Sequence, residues 1–264
     1  EAPKIARELL RHGAVVKCYM TPEARRIIHP NAMEFATQED VVTRLTGRLE
    51  HLEEFDLVLI APATATTISK IVKGIADTPV TALALSTRAK VVIAPAMHDS
   101  MYENPIFKEN MERLKALGYR LVDPRFQESR AKLAGIDGIV DACIAELTER
   151  ELEGKRVLVT AGPTIEYLDP VRILTNKSSG KMGIEVAKEA YFRGAKVRLV
   201  YGFGTEVPPS YLDVVQVETA EEMLRAVERE IAHCEIFVAA AAVADFSPQA
   251  AKEKIESRSG GFEL

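Results

Sequence analysis

The sequence of 264 residues contains no tryptophan, few aromatic residues and only three cysteines. Cys18, Cys143 and Cys234 form no C-x-x-C pair, which excludes a disulfide framework and a cysteine-rich zinc site. The longest apolar run, residues 236–244, is far shorter than the ~20 residues of a membrane-spanning helix, and no signal-peptide pattern is present. The sequence also lacks the G-x-G-x-x-G fingerprint, so ordinary NAD binding is disfavoured.

The charge balance and hydrophobic content indicate a cytosolic α/β protein rather than a nucleic-acid scaffold. Lys and Arg total 34 against 39 Asp and Glu, a net charge of -5, whereas a nucleic-acid scaffold needs a basic face. The hydrophobic fraction of 47% is ample for a buried core, and its aliphatic character is typical of parallel sheets. We therefore expect a cytoplasmic protein with no nucleic-acid or membrane partner.

Helix and strand patterns alternate along the chain and predict an α/β fold of two Rossmann-like, three-layer α/β/α domains with mainly parallel sheets. The charged segment 151–155 predicts the boundary, giving domains 1–150 and 151–264; a single large α/β domain is the alternative. A helix begins near Pro3 and precedes a strand predicted over 15–20. Since such a helix normally follows a strand, we expect a first strand upstream of residue 1.

Two loops of the first half follow predicted strands, where ligands of open α/β sheets bind. Residues 61–67 combine small side chains with hydroxyls before a helix, so a flat ligand could reach the backbone and an anion could meet N–H donors. An ordinary threonine-capped turn is the alternative. In the second loop, Met97 suits an aromatic ring system and His98 could bind a carboxylate or transfer a proton; a Met-rich core turn is the alternative.

The order Pro-Ala-Thr-Ala-Thr-Thr, Gly-Ile-Ala-Asp and Pro-Ala-Met-x-x-x-Met-Tyr resembles the flavin-containing cysteine decarboxylases. Within them it is similar to the decarboxylase half of the bifunctional phosphopantothenoylcysteine decarboxylase/phosphopantothenate–cysteine ligases of coenzyme A biosynthesis. The resemblance implies that 1–150 is an FMN-binding decarboxylase domain, with His51 as the active-site histidine. The residues it implies against FMN are Pro62, Ala63, Thr64, Ala65, Thr66, Ser86 and Met97.

The first half departs from this family at three points. His98 stands where the family has an asparagine, and we assign it a catalytic role in holding the substrate carboxylate. The family's flap cysteine, which donates the final proton, would fall near 129–132, where there is none. The loop that binds the FMN phosphate is expected upstream of Glu1.

Residues 160–183 form the most specific pattern in the sequence. A Gly-rich turn after a strand leads through Arg172 and Asn176 to Lys-Ser-Ser-Gly and a helix, which together provide the donors of an anion site. The pattern closely resembles the ligase half of the same family. It implies that 151–264 is a CTP-dependent ligase domain whose C-terminal part lies beyond residue 264.

By this resemblance, Arg172 and Asn176 contact an acyl-phosphate or acyl-nucleotide intermediate, and Lys254 clamps the developing phosphate charge. Mg²⁺ is expected to bridge the phosphates, with protein ligands that the sequence leaves unknown. Glu256 replaces the second lysine of the family's Lys-Ile-Lys motif. The implied CTP-binding residues are Gly162, Ser178, Ser179, Ala241, Asp245 and Lys254.

The resemblance thus predicts an archaeal-like bifunctional enzyme and a homo-oligomer. It would condense 4′-phosphopantothenate with cysteine through an acyl-cytidylate, as a CTP-dependent acid–amino-acid ligase. As an FMN-dependent carboxy-lyase it would then convert 4′-phosphopantothenoylcysteine into 4′-phosphopantetheine. Two alternatives stay open: a non-catalytic flavin-binding regulatory protein, which the missing cysteine allows, and an NAD(P)-dependent oxidoreductase on paired Rossmann units.

Overall fold

A computed structural model describes residues 1–47, 49–127 and 130–255. The chain divides into two compact units, Glu1–Leu147 and Thr148–Leu264. Both are α/β units built on parallel sheets, so the predicted fold class is confirmed. Among the described residues, no helix is both long and apolar enough to cross a lipid bilayer.

The first unit has a parallel sheet in the order β1-β2-β4 and a small antiparallel sheet in the order β3-β6-β5. Its strands are β1 (Leu57–Ala63), β2 (Lys90–Pro95), β3 (Met97–His98), β4 (Arg120–Leu121), β5 (Arg125–Gln127) and β6 (Arg130–Lys132). Its helices are α1 (Ala2–Arg11), α2 (Ala24–Ile27), α3 (Pro30–Thr37), α4 (Ala65–Val72), α5 (Pro79–Ser86), α6 (Asp99–Tyr102), α7 (Pro105–Ala116) and α8 (Ile136–Leu147), with a 3₁₀ turn at Glu50–Leu52.

Helices cover both faces of the parallel sheet in this unit. Because strand side chains alternate between faces, Val58 and Ile60 pack with α4 and α7, whereas Leu59 packs with α1 and α8. The strand predicted over 15–20 is absent: an isolated bridge pairs Tyr19 with Val42. A strand needs a neighbour along its length, and among the described residues this segment finds one at a single position.

The second unit has a four-stranded parallel sheet in the order β11-β10-β7-β12. Helix α9 packs on one face through Ile184 and Ala187, and α10 on the other through Met223 and Ala226. The strands are β7 (Arg156–Ala161), β8 (Ile165–Tyr167), β9 (Ile173–Thr175), β10 (Lys196–Tyr201), β11 (Asp213–Gln216) and β12 (Ile236–Ala239), and the helices are α9 (Lys181–Phe192) and α10 (Ala220–Ile231). Strands β8 and β9 form an antiparallel pair.

Close packing of α9 on β7 sets the position of the segment before this helix. A Cβ atom added to Gly183 would lie 2.4 Å from the Cβ of Ala161, so only glycine allows this approach. The approach brings the N-terminus of α9 to the carboxyl end of β7, next to Gly162.

Candidate functional site

The two predicted FMN loops lie side by side at the carboxyl edge of the first sheet. Ala63 is in register with Pro95, and the backbone N–H of Ala96 donates to the Ala63 carbonyl at 3.0 Å. Ala63 is buried, Met97 is half-buried, and the side chains of Pro62, Thr64 and Thr66 are exposed. The loops therefore offer small side chains and hydroxyls on one edge, and the buried Ala63 holds the two loops together through its carbonyl.

Thr64 caps helix α4, as the ordinary-turn alternative also required. Its Oγ1 accepts a hydrogen bond from the Thr67 backbone N–H at 3.3 Å and lies 3.1 Å from the Thr67 hydroxyl. Ala65 follows at the start of the helix, where unpaired N–H groups and the helix dipole favour an anion. Capping and ligand binding are compatible here, so the predicted FMN contacts of this loop stay predictions.

The turn that carries His51 is held from two sides. The Ser86 hydroxyl, at the end of α5, contacts the His51 carbonyl oxygen. On the other side, the Tyr19 hydroxyl lies 2.7 Å from the Glu50 carbonyl and 2.8 Å from Glu53 Oε2. Ser86 Oγ also lies 2.9 Å from the Ala82 carbonyl oxygen and 3.3 Å from that of Leu83. These carbonyls share its single proton, so any contact with FMN would use the lone pairs of its oxygen.

An ionic contact completes the support of this turn. The Lys17 ammonium lies 2.7 and 2.6 Å from the two carboxylate oxygens of Glu53. The hydrogen bond from Lys17 is the main cause that lowers the pKa of Glu53. Burial, together with the Glu53 carboxylate, raises the pKa of Tyr19, so its hydroxyl keeps its proton as a donor.

His98 is an N-cap residue in the structure. Its Nδ1 accepts from the Ser100 backbone N–H at 3.3 Å and lies 2.9 Å from the Ser100 hydroxyl. This pattern assigns the proton of the neutral ring to Nε2. Asparagine is an equally good cap, which explains why either residue type suits the position.

A hairpin packs beside the Met97 loop where the flap was predicted. Met97 pairs with Ala131 of β6, and β6 pairs with β5. Ser129 lies outside the described residues. Cys143 lies in α8 and is buried, and burial raises the pKa of its thiol to about 12, as is typical of a packing residue.

In the second unit, hydrogen bonds bring together three of the predicted ligase segments. The Gly162 carbonyl accepts from the Ala242 N–H at 2.9 Å. Asn176 Nδ2 donates to the carbonyls of Ala242 and Val243 at 3.2 and 3.0 Å. The segment 241–245 is thus fixed against Gly162 and Asn176; within it Ala241 is half-buried and Asp245 is exposed.

The Ser-Ser-Gly turn lies at the N-terminus of the 12-residue helix α9. Ser178 Oγ accepts from the Gly180 N–H at 3.4 Å and Ser179 Oγ from the Lys181 N–H at 3.3 Å. The Tyr201 hydroxyl lies 3.1 Å from the Ser179 carbonyl. A helix of this length concentrates positive potential at its N-terminus, so the turn suits a phosphate.

Arg172 is joined to the segment that carries Lys254. Its Nη1 donates to Asp169 Oδ2 at 2.6 Å and to the Ile255 carbonyl at 2.8 Å. Lys254, the neighbouring residue, is exposed. Sequence reasoning missed Asp169, although it lies within the 160–183 pattern, because its partner at Ile255 is remote along the chain.

Two further buried polar residues missed by sequence reasoning support the segment around Asp245. Thr164 Oγ1 accepts from the Ala244 N–H at 2.8 Å. Glu166 accepts from the Ala220 N–H, at the start of α10, at 3.0 Å and from the Ser247 hydroxyl at 3.3 Å.

Among residues 1–47, 49–127 and 130–255, no group of three His, Cys, Asp or Glu side chains is arranged to hold a metal, and the expected Mg²⁺ stays a prediction.

Two family models, one for each half, together match nearly the whole chain. Residues 1–148 match the model described as Flavoprotein, and residues 152–264 match the DNA/pantothenate metabolism flavoprotein C-terminal domain. Fold and matches together define a two-part flavoprotein.

Known proteins narrow this class further. The coenzyme A biosynthesis bifunctional protein CoaBC of Thermococcus kodakarensis is 52% identical over 257 residues, covering 93% of this chain and 64% of that protein. The CoaBC protein of Bacillus subtilis is 35% identical, covering 100% of this chain and 70% of that protein. The chain belongs to the family of coenzyme A biosynthesis bifunctional proteins, and the family predicted from the motifs is confirmed.

The chain spans just under two thirds of the length of two relatives: 64% of the Thermococcus kodakarensis protein and 65% of the CoaBC protein of Methanocaldococcus jannaschii. Among solved structures, peptidyl-cysteine decarboxylase EpiD is 23% identical with a TM-score of 0.50, covering 53% of this chain and 88% of that chain. This similarity concerns the fold alone.

Proposed function

We propose that the second unit, residues 151–264, is a CTP-dependent ligase domain and that residues 1–150 form an FMN-dependent decarboxylase domain. The observation that carries the ligase half is the convergence of Gly162, Asn176 and segment 241–245 through backbone and amide hydrogen bonds. The α/β fold alone does not require an acidic residue such as Asp245 beside Gly162 and Asn176.

In the proposed ligase step, the carboxylate of 4′-phosphopantothenate attacks the α-phosphorus of CTP and pyrophosphate leaves. The amine of cysteine then attacks the acyl carbon of the acyl-cytidylate, and CMP leaves. Asp245 and Ala241 read the cytosine ring, while Ser178, Ser179 and the N-terminus of α9 hold phosphate oxygens.

Arg172 and Lys254 stabilise the charge that develops on the phosphate. Nη1 of Arg172 is occupied by Asp169 and Ile255, and its other nitrogens have no partner among the described residues. A guanidinium held in this way can present a fork to phosphate oxygens. Bound Mg²⁺ would neutralise negative charge on the phosphates and would take most of its ligands from phosphate oxygens and water.

The residues of the first unit fit FMN. Met97 can cover a flat ring, small residues at 62–66 allow close approach of the backbone, and the start of α4 offers N–H donors. Bound FMN supplies reversible oxidation of the substrate thiol side, which provides a route to delocalise the electron pair left when carbon dioxide departs. His51 acts at the reacting centre, and the Nε2–H of His98 donates a hydrogen bond to the substrate carboxylate while its Nδ1 continues to accept from Ser100.

The purified protein tests both halves. We expect visible flavin absorbance, CMP when 4′-phosphopantothenate, CTP and cysteine are supplied, and then carbon dioxide. Flavin without CMP or carbon dioxide would favour the non-catalytic regulatory protein. CMP without carbon dioxide would contradict the decarboxylase half alone, and absence of both flavin and CMP would contradict the whole proposal.

A further inference from the structure

Asp169 is a buried carboxylate to which the proposed mechanism assigns no role. Its side chain is fully buried. Oδ1 accepts from the backbone N–H groups of Val171 and Arg172, both at 2.7 Å. Oδ2 accepts from Arg172 Nη1 at 2.6 Å and from the Ile255 N–H at 3.0 Å.

These contacts join two segments that are remote along the chain. One Asp169 oxygen closes the turn between β8 and β9. The other oxygen accepts from the Ile255 N–H, while Arg172 Nη1, which also donates to that oxygen, donates to the Ile255 carbonyl. Asp169, Arg172 and Ile255 are therefore hydrogen-bonded to one another in all three pairs.

The charge of Asp169 is maintained inside the protein. Burial opposes ionisation, but hydrogen bonds from the N–H groups of Val171, Ile255 and Arg172 and from the Arg172 guanidinium hold its pKa well below its usual range. A buried carboxylate with four donors is a rigid support. Because its side chain is fully buried, Asp169 does not itself contact a substrate.

We propose that Asp169 is the positioning residue of the nucleotide-activation step, fixing the Arg172 guanidinium and the Lys254 segment so that both cations meet the same phosphate charge. This inference rests on the ligase function proposed above. It accounts for the hydrogen bond that Arg172 donates to Ile255, the neighbour of Lys254.

Asp169→Asn tests the proposal, because the amide has nearly the same shape but turns an acceptor into a donor facing donors. We expect kcat for CMP release to fall by up to about a hundredfold, the scale of a small misplacement in an active site, and KM for CTP to rise. Asp213→Asn is the matched control: it breaks an exposed Asp–Arg pair with Arg198 in the same unit and should leave both constants unchanged.

A double-variant cycle separates positioning from general stability. In the Asp169→Asn protein, Arg172→Ala should cost much less than in the unmodified protein, because the guanidinium is already displaced. Equal costs in the two backgrounds would mean that Asp169 acts independently of Arg172 and would overturn the proposal.

Hydrogen exchange provides a readout that needs no variant and no activity. In the unmodified protein the Ile255 amide should be protected, and exchange at the rate of an unfolded chain would overturn the proposal. CMP release by the unmodified protein with unchanged kinetics in Asp169→Asn would contradict the positioning role alone. No CMP from the unmodified protein would instead contradict the proposed ligase function.

Discussion

At the scale of single residues, two predicted catalytic residues are held in place by hydrogen bonds that the sequence motifs do not reveal. Asn176 donates both its amide hydrogen bonds to the backbone of segment 241–245. His51 is held through its carbonyl by Ser86 and through its turn by Tyr19. These hydrogen bonds fix the Asn176 amide and the backbone of the His51 turn, and a catalytic site needs such fixed positions.

The Asn176 amide gives a direct prediction. Asn176→Asp would set a carboxylate oxygen against the Ala242 and Val243 carbonyls, so segment 241–245 should move. We expect kcat for CMP release to fall at least about tenfold, equivalent to 1.4 kcal/mol, and KM for CTP to rise. Steady-state kinetics on CTP measures both, and unchanged kinetics would show that Asn176 has no role in the site.

The Lys17–Glu53 pair predicts a pH-dependent contribution to stability. Because hydrogen bonding from Lys17 lowers the pKa of Glu53 in the folded protein, the pair stabilises it at neutral pH, and this is lost as pH falls through the lowered pKa. Glu53→Gln should reduce the free energy of unfolding at pH 7 by about 0.5–1 kcal/mol, since both side chains are partly solvent-screened. The difference from the unmodified protein should shrink below about pH 4.

Urea denaturation at neutral and acidic pH measures this effect. Glu54→Gln is the control, because Glu54 is exposed and should show no such pH dependence. A Glu53→Gln protein as stable as the control at pH 7 would contradict the assigned support of the His51 turn.

At the scale of elements, periodic patterns predicted most helices and central strands, but contacts remote along the chain were not predictable. Helix α9 begins directly after the Lys-Ser-Ser-Gly segment, where the sequence predicted a helix, and it buries one face against the sheet. The strand expected over 15–20 fails for lack of a neighbour. The contact between Asp169 and Ile255 has no local signal, since nothing near either residue encodes the other.

Two helical glycines make opposite predictions at this scale. In Gly183→Ala the new Cβ would collide with Ala161, so α9 must move off β7, costing about 1–3 kcal/mol and displacing the Ser-Ser-Gly turn. In Gly138→Ala the new Cβ, in α8, meets nothing within 4 Å, so stability should stay the same or rise by up to about 1 kcal/mol.

Thermal unfolding and CTP titration of both glycine variants measure these effects. Only Gly183→Ala should lose stability and CTP affinity. Equal stability of the two variants would mean that α9 does not depend on its close approach to β7.

At the scale of the whole molecule, the division into two units predicts separable activities. With 4′-phosphopantothenoylcysteine supplied directly, His51→Gln should lower carbon dioxide release by about a hundredfold or more, while CMP release in the ligase assay continues. Arg172→Ala should instead lower CMP release in the ligase assay and leave carbon dioxide release from 4′-phosphopantothenoylcysteine unchanged. Loss of both activities in either variant would contradict the assignment of one reaction to each unit. Light scattering would test the homo-oligomer that the family resemblance implies.

The most direct test of the central claim follows the substrate's own oxygen atoms. With 4′-phosphopantothenate labelled with ¹⁸O at both carboxylate oxygens, attack on the α-phosphorus of CTP followed by amine attack on the acyl carbon leaves one carboxylate oxygen on the departing nucleotide. Mass spectrometry should therefore find one ¹⁸O atom in each CMP. Label in inorganic phosphate, or unlabelled CMP, would contradict the acyl-cytidylate that this account assigns to the second unit.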